Sequence, residues 1–253
     1  MTAHNPYAPP SVTVADREDE NYGGEETLIP GGRTCPAGSG WSWMVQGWQM
    51  FKTAPLMFWV VLLISMMIYI VMAIIPVVNF LASIAMPLFV AGFGSCAYST
   101  LREGRFEVGQ IFDGCRKRPG TQLLCGLIYF GLIFGSVFAI AMAFGATGLL
   151  KGMMGGHMNA ASAGSFMLVM ALIGLVVALI VPTVIYAPYL IQEHEELSAT
   201  EAMQMSFKGC FRNIASGLVF MVVMVVFAIV ASIPFGLGWL VLFPVSYLAL
   251  YAS

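Results

Sequence analysis

Charge is the scarcest thing in this chain. Only 9% of its 253 residues are Asp, Glu, Lys or Arg, against about 25% in an ordinary soluble domain. Hydrophobic residues make up 59%, more than a water-soluble core of this size could hide. The composition therefore points to an integral membrane protein. The net charge is −2, and the basic face that nucleic acid requires is missing, so no nucleic-acid partner is expected. Cys35, Cys96, Cys115, Cys125 and Cys210 show no C-x-x-C spacing, which removes the usual zinc and redox motifs. No G-x-S-x-G elbow, Walker loop or H-E-x-x-H pair occurs. The first apolar run begins only near Pro55, so no cleavable signal peptide is expected.

A further absence narrows function. The long apolar runs hold no Asp, Glu, Lys, Arg or His in their central parts. Proton relays and ion pathways require such groups within the bilayer. This argues against a proton-coupled carrier and against an intramembrane metalloprotease. Neither a cofactor nor a catalytic residue is expected.

What is present is a threefold pattern of an amphipathic, basic-ended stretch followed by a long apolar run. Residues 1–40 come first, rich in Pro and Gly, with Arg17 and Arg33 outnumbered by Asp16, Glu18, Asp19, Glu20, Glu25 and Glu26. Such a segment cannot bury enough apolar surface to order itself, so it is expected to be a disordered acidic cytoplasmic tail. From Trp41 the character changes. Trp41, Met44, Val45, Trp48 and Phe51 recur at helical spacing, and the tryptophans favour the headgroup region. This helix, ending at Lys52, is expected to lie along the membrane surface.

Six spans are expected, at about 55–75, 77–101, 122–149, 165–191, 215–232 and 236–251. The first, at a rise of about 1.5 Å per residue, extends about 31 Å, close to the hydrocarbon thickness. Pro76 should end it, and Pro87 should kink the second. Lys52, Arg102, Arg105, Arg116, Lys117, Arg118, Lys208 and Arg212 fall on one side and only Lys151 on the other. By the positive-inside rule both termini are then cytoplasmic. The expected fold is all-α, with six transmembrane helices in three hairpins, each preceded by an amphipathic surface helix.

Phe112-Asp-Gly114-Cys115 aligns with Phe207-Lys-Gly209-Cys210. The alignment is read as three parallel repeats at about 41–101, 106–191 and 198–251, within one domain of residues 41–253. Parallel rather than inverted repeats weigh against a secondary transporter. In the third span Gly131, Gly135, Ala139 and Ala143 recur every fourth residue, a spacing that lets a neighbouring helix come close. Packing within the protein is the plainer reading, and a homodimer interface the alternative.

Two clusters could carry chemistry. Met153, Met154, His157 and Met158 in the outward loop offer thioether and imidazole, the ligand set that selects Cu(I). Chance clustering among 18 methionines is the plainer account, and Gly155 and Gly156 weaken any helix there. Glu193-His194-Glu195-Glu196 offers ligands in number, but neighbouring helical residues diverge by about 100°, so a solvated helix end is expected.

Several motifs carry a family resemblance: Asn5-Pro6-Tyr7, Gly47-Trp48-Gln-Met-Phe51-Lys52-Thr-Ala-Pro55, Pro87-x-x-x-x-Gly92, and Ser246-Tyr247 through Tyr251-Ala-Ser253. Over most of residues 41–253 the chain resembles a widespread family of proteobacterial six-span inner-membrane proteins with no assigned activity. The resemblance implies location and topology only, and no functional residue carries over. Relatives extend a few polar residues past the Tyr-Ala-Ser, which leaves the inner end of span six thinly anchored here.

The function expected from these features is a non-enzymatic inner-membrane protein that organises or regulates lipid or a membrane partner. Trp41, Trp48, Lys52, Arg116, Lys117, Arg118, Lys208 and Arg212 are the candidate lipid- or partner-facing residues. Membrane lipid is the expected partner, with another protein or a second copy beside it. The alternatives are a facilitative carrier or channel for an uncharged or amphipathic solute, Cu(I) binding by the outward loop, and a lipid-acting enzyme using Glu193, His194 and Asp113.

Overall fold

The computed structural model describes residues 32–74, 76–102, 107–144, 160–233 and 235–253. Every regular element among them is helical. They are α1 (Ser39–Thr53), α2 (Pro55–Ile74), α3 (Pro76–Arg102), a 3-10 turn (Val108–Phe112) running into α4 (Asp113–Arg116), and α5 (Pro119–Phe144). Beyond residue 159 come α6 (Ala160–Ile180), a second 3-10 turn (Val181–Thr183), α7 (Ala187–Glu193), α8 (Ala199–Arg212), α9 (Ile214–Ser232) and α10 (Trp239–Tyr251).

Proline sets many of these boundaries. Pro55, Pro76 and Pro119 each open a helix, where a missing N–H costs nothing. Pro87 sits inside α3, which continues through it. Pro182 falls in the second 3-10 turn and Pro188 in the first turn of α7. The expected fourth span is therefore a long helix, a tight turn and a short helix. Between α9 and α10 the chain reverses through Phe235 and Gly236, with φ of 53° and 81°.

Five helical stretches are long and apolar enough to cross a membrane. The sixth expected span is the apolar helix α10, of only 13 residues, about 20 Å long at 1.5 Å per residue. Several serine and threonine hydroxyls within the runs bond carbonyls of their own segment. Ser65, Ser83, Ser136 and Thr183 donate to the carbonyls of Val61, Asn79, Leu132 and Ile180.

α3 is the central helix. Of its span 56% is buried, against 11% or less for the other four. It touches α2, α5, α7, α10, α4 and the first 3-10 turn. The amphipathic segments follow one packing scheme. The first 3-10 turn lies against α2 and α3, α8 lies against α5, α7 and the second 3-10 turn, and α1 lies against α9 and α10. Each of the first two rests on the apolar helices preceding it in the chain, and α1 rests on the last pair.

The core lies at the end of the bundle where these segments collect. One cluster joins Met44, Phe51, Phe58, Phe93, Ile111 and Leu248, and another joins Cys125, Ala187, Ile191, Ala202 and Met203. Close backbone contact makes this possible. A Cβ at Gly47 would overlap Val245 and Ala249, and one at Gly92 would overlap the Ile111 carbonyl.

Three sequence expectations need correction. The tail does not extend to residue 40, because 32–38 are bound to the corner of α8 and α9. The Cys35 N–H donates to Asn213 Oδ1 at 2.7 Å, Asn213 Nδ2 donates to the Arg33 carbonyl at 2.7 Å, and Ser216 Oγ donates to the Pro36 carbonyl at 2.9 Å. The small-residue stripe of α5 does not pack within the protein. Gly131, Gly135, Ala139 and Ala143 are exposed, and nothing lies within 4 Å of a Cβ built at either glycine. Helical spacing groups residues on a face without saying which face turns inward. In α5 the inward face carries Gln122, Cys125 and Gly126. The surface segment before α5 is a 3-10 turn plus one α-turn rather than a full helix, with Ile111 buried and Phe112 exposed.

Candidate functional site

The lipid- or partner-facing candidates lie in or next to α1, α4 and α8. In α1 the buried face is Gly40, Trp43, Met44, Gly47, Met50 and Phe51. Gly40 meets Ser216 and Phe220 of α9 while Gly47 meets α10, so α1 crosses both helices near this end. Trp41 and Trp48 are 54% and 44% exposed. Trp41 stacks on Phe227 with ring centroids 6.3 Å apart, and Trp48 stacks on Phe51 at 5.7 Å. The apolar stripe read from the sequence thus divides: Met44 and Phe51 face the protein, and the tryptophans face outward. Trp43, absent from that stripe, is buried with its ring edge-on to Phe220.

The cations at this end differ in their engagement. Arg118 is half-buried, and its Nη1 donates to the His194 carbonyl at 2.9 Å and the Ile191 carbonyl at 3.4 Å. Those carbonyls belong to the C-terminal end of α7, where a cation complements the helix dipole. Lys117 pairs with Asp113 at 3.8 Å. Arg212 Nε donates to Thr34 Oγ1 at 2.8 Å. Lys52, Arg116 and Lys208 are exposed, and no protein group bonds them among the described residues.

α8 begins with a capping box. Ser198 Oγ accepts from the Glu201 N–H at 3.3 Å, and Glu201 Oε2 accepts from the Ser198 N–H at 2.9 Å. The side-chain bond from Ser198 is the larger cause that lowers the Glu201 carboxyl below its usual range. Cys210, on the same helix, is pushed up to about 11 by burial, so it is a thiol and not a thiolate nucleophile at neutral pH.

Two concavities flank α1. The larger, about 800 Å³, is lined by Trp43, Gln46, Tyr186, Tyr189, Glu193 and Asn213 among others. The Tyr251 hydroxyl donates to Glu193 Oε1 at 2.9 Å across it. The smaller, about 490 Å³, lies on the other flank against α9 and α10, and every residue lining it is apolar.

Sequence reasoning missed a buried polar group around α7. Gln122 Nε2 donates to the Pro188 carbonyl at 2.9 Å, and Gln192 Nε2 donates to Ser95 Oγ at 3.1 Å. Their Oε1 atoms and the Tyr189 hydroxyl are buried without a partner among the described residues. The available signal was a glutamine at the edge of each apolar run, which composition averages away.

His194 Nδ1 lies 3.8 Å from Glu196, and no three His, Cys, Asp or Glu residues converge on a metal position among the described residues. Met153, Met154, His157 and Met158 lie outside the described residues. No protein-family model, curated protein or solved structure matches this chain.

Proposed function

We propose that this chain is a non-enzymatic integral membrane protein that binds and organises lipid where its amphipathic segments and open cations collect. One observation carries the reading. Lys52, Arg116 and Lys208 are exposed and have no protein partner among the described residues, and Trp41 and Trp48 turn outward on the helix that carries Lys52. Cations of this kind attract an anionic leaflet at about 1 kcal/mol each, and the tryptophans suit the headgroup layer. Arg118 contributes to stability instead, since its guanidinium caps α7.

The same reading has α10 cross as a sixth span beside the half-buried α1, with both termini cytoplasmic and three repeated units. The recurrent packing of each amphipathic segment on a pair of apolar helices supports that repeat. Inner-membrane residence follows from the motif resemblance and from the one-sided cations. The test is lipid retained through purification from a mixed bilayer. Replacing Lys52, Arg116 and Lys208 together by Gln should lower the anionic fraction retained. An unchanged fraction would remove the lipid role.

The cavity of about 800 Å³ favours a second reading, a facilitative carrier for an uncharged or amphipathic solute. Its wall is more polar than the apolar runs implied, since Gln46, Tyr186, Glu193 and Asn213 reach it from four different segments. Solute flux into proteoliposomes, abolished by Gln46→Leu with Tyr186→Phe, would promote this reading. Flux equal to that of empty vesicles would end it.

A further inference from the structure

The groove between α1, α9 and α10 differs from an ordinary lipid-facing surface in being concave and built at one end by tryptophan. Its volume of about 490 Å³ falls in the range of small-ligand sites. Trp41, Trp48 and Phe227 wall it, with Val241 and Val245 behind. α9 and α10 meet closely at their turn, where Gly238 rests on Ala231, and α1 lies between them at the other end. We infer that this groove holds one acyl chain of an anionic membrane phospholipid, whose headgroup is bound by Lys52. The inference rests on the lipid-binding reading above and gives it a site.

The stripe of α1 that walls the groove is Trp41, Val45 and Trp48. The next position on it is Lys52, one turn or about 6 Å beyond Trp48. Lys52 also stands three residues before Pro55, where a candidate span starts, which is headgroup depth. α1 contains no acidic residue, so its cation is unopposed along the whole helix. An apolar slot, with an ammonium one helical turn beyond its last tryptophan that no group bonds among the described residues, is the complement of a hydrocarbon chain joined to a phosphate.

The test uses the full chain in phosphatidylcholine nanodiscs carrying a small fraction of lipid brominated on its acyl chains, which quenches adjacent tryptophan. Brominated phosphatidylglycerol is compared with brominated phosphatidylcholine. Wild type should favour the anionic lipid about fivefold, the change one such cation supplies. Trp41→Phe with Trp48→Phe should remove that preferential quenching. Lys52→Gln should abolish the preference while leaving the smaller quenching common to both lipids. Arg116→Gln with Lys208→Gln should lower the total anionic lipid retained, and the part of the quenching preference that is lost with Lys52→Gln should remain.

Equal quenching by both lipids in wild type, or a preference that survives Lys52→Gln, overturns the site. A preference that disappears only with Arg116 and Lys208 leaves lipid binding standing and refutes the groove. The absence of any anionic preference in retained lipid refutes both. Weak quenching accompanied by disulfide dimers of a Trp48→Cys variant would show a second copy on the groove, and also overturns the proposal.

Discussion

At the scale of single residues, small side chains matter where backbones touch, and spacing alone does not reveal the place. Gly47 and Gly92 leave no room for a methyl group, while Gly131 has nothing within 4 Å of that position. Gly47→Ala or Gly92→Ala should therefore cost about 1–3 kcal/mol through forced backbone shifts. Gly131→Ala should change stability by no more than about 0.5 kcal/mol. Thermal unfolding in a fixed detergent checks both, and equal losses at all three positions would contradict the packing. Arginine shows the same divergence. Arg118 is bonded to the end of α7 and Arg116 is open. Arg118→Gln should lower stability by about 1–2 kcal/mol, whereas Arg116→Gln should leave it unchanged and act on lipid retention instead.

At the scale of elements, what the chain shows on reading depends on how many solvents a segment meets. α9 was legible almost to the residue, since the run of side chains between Asn213 and Ser232 holds no proline and no charge to interrupt it. α1 was legible as a helix but not in its orientation. Its apolar residues face two hydrophobic surroundings, lipid on one flank and α9 and α10 on the other, and hydrophobicity does not distinguish them. Trp43 and Trp48 are the same residue type, yet one is buried and the other is 44% exposed. The fourth run is one candidate span, its hydropathy continuous through Pro182 and Pro188, and that continuity hides the break between α6 and α7. The bond from Gln122 to the Pro188 carbonyl joins residues 66 apart, beyond any local pattern.

α8 offers a prediction at this scale. Its first turn is held by the ionised form of Glu201, whose carboxyl is lowered by Ser198. That contribution is present above the ordinary carboxylate range and is lost as pH falls through the lowered value. Hydrogen exchange at the amides of 202–206 should therefore quicken, relative to the intrinsic rate, on acidification in the wild type. In Ser198→Ala those amides should be less protected at neutral pH and should lose most of that dependence. Identical profiles would show that the cap does not hold the helix.

For the whole molecule, the amphipathic segments and the core share one end, and the lipid-exposed parts of the spans extend away from it. α3 passes through the centre, and α1 closes the arrangement by resting on the last pair of helices. α10, at 13 residues, is shorter than a bilayer core, and α1 packs along it. The lipid reading, the groove and the buried polar group around α7 all presuppose that this end faces one side of the membrane and the α9–α10 turn the other.

That disposition is open to one direct measurement. Cys115 is exposed in α4, and Phe235 is fully exposed in the α9–α10 turn. In a variant keeping Cys115 alone, and in another with Phe235→Cys as its single cysteine, a membrane-impermeant thiol reagent is applied to sealed vesicles of known orientation. The account predicts labelling of the two positions from opposite faces, with Cys115 reached only from the cytoplasmic side. Labelling of both from the same face would contradict it.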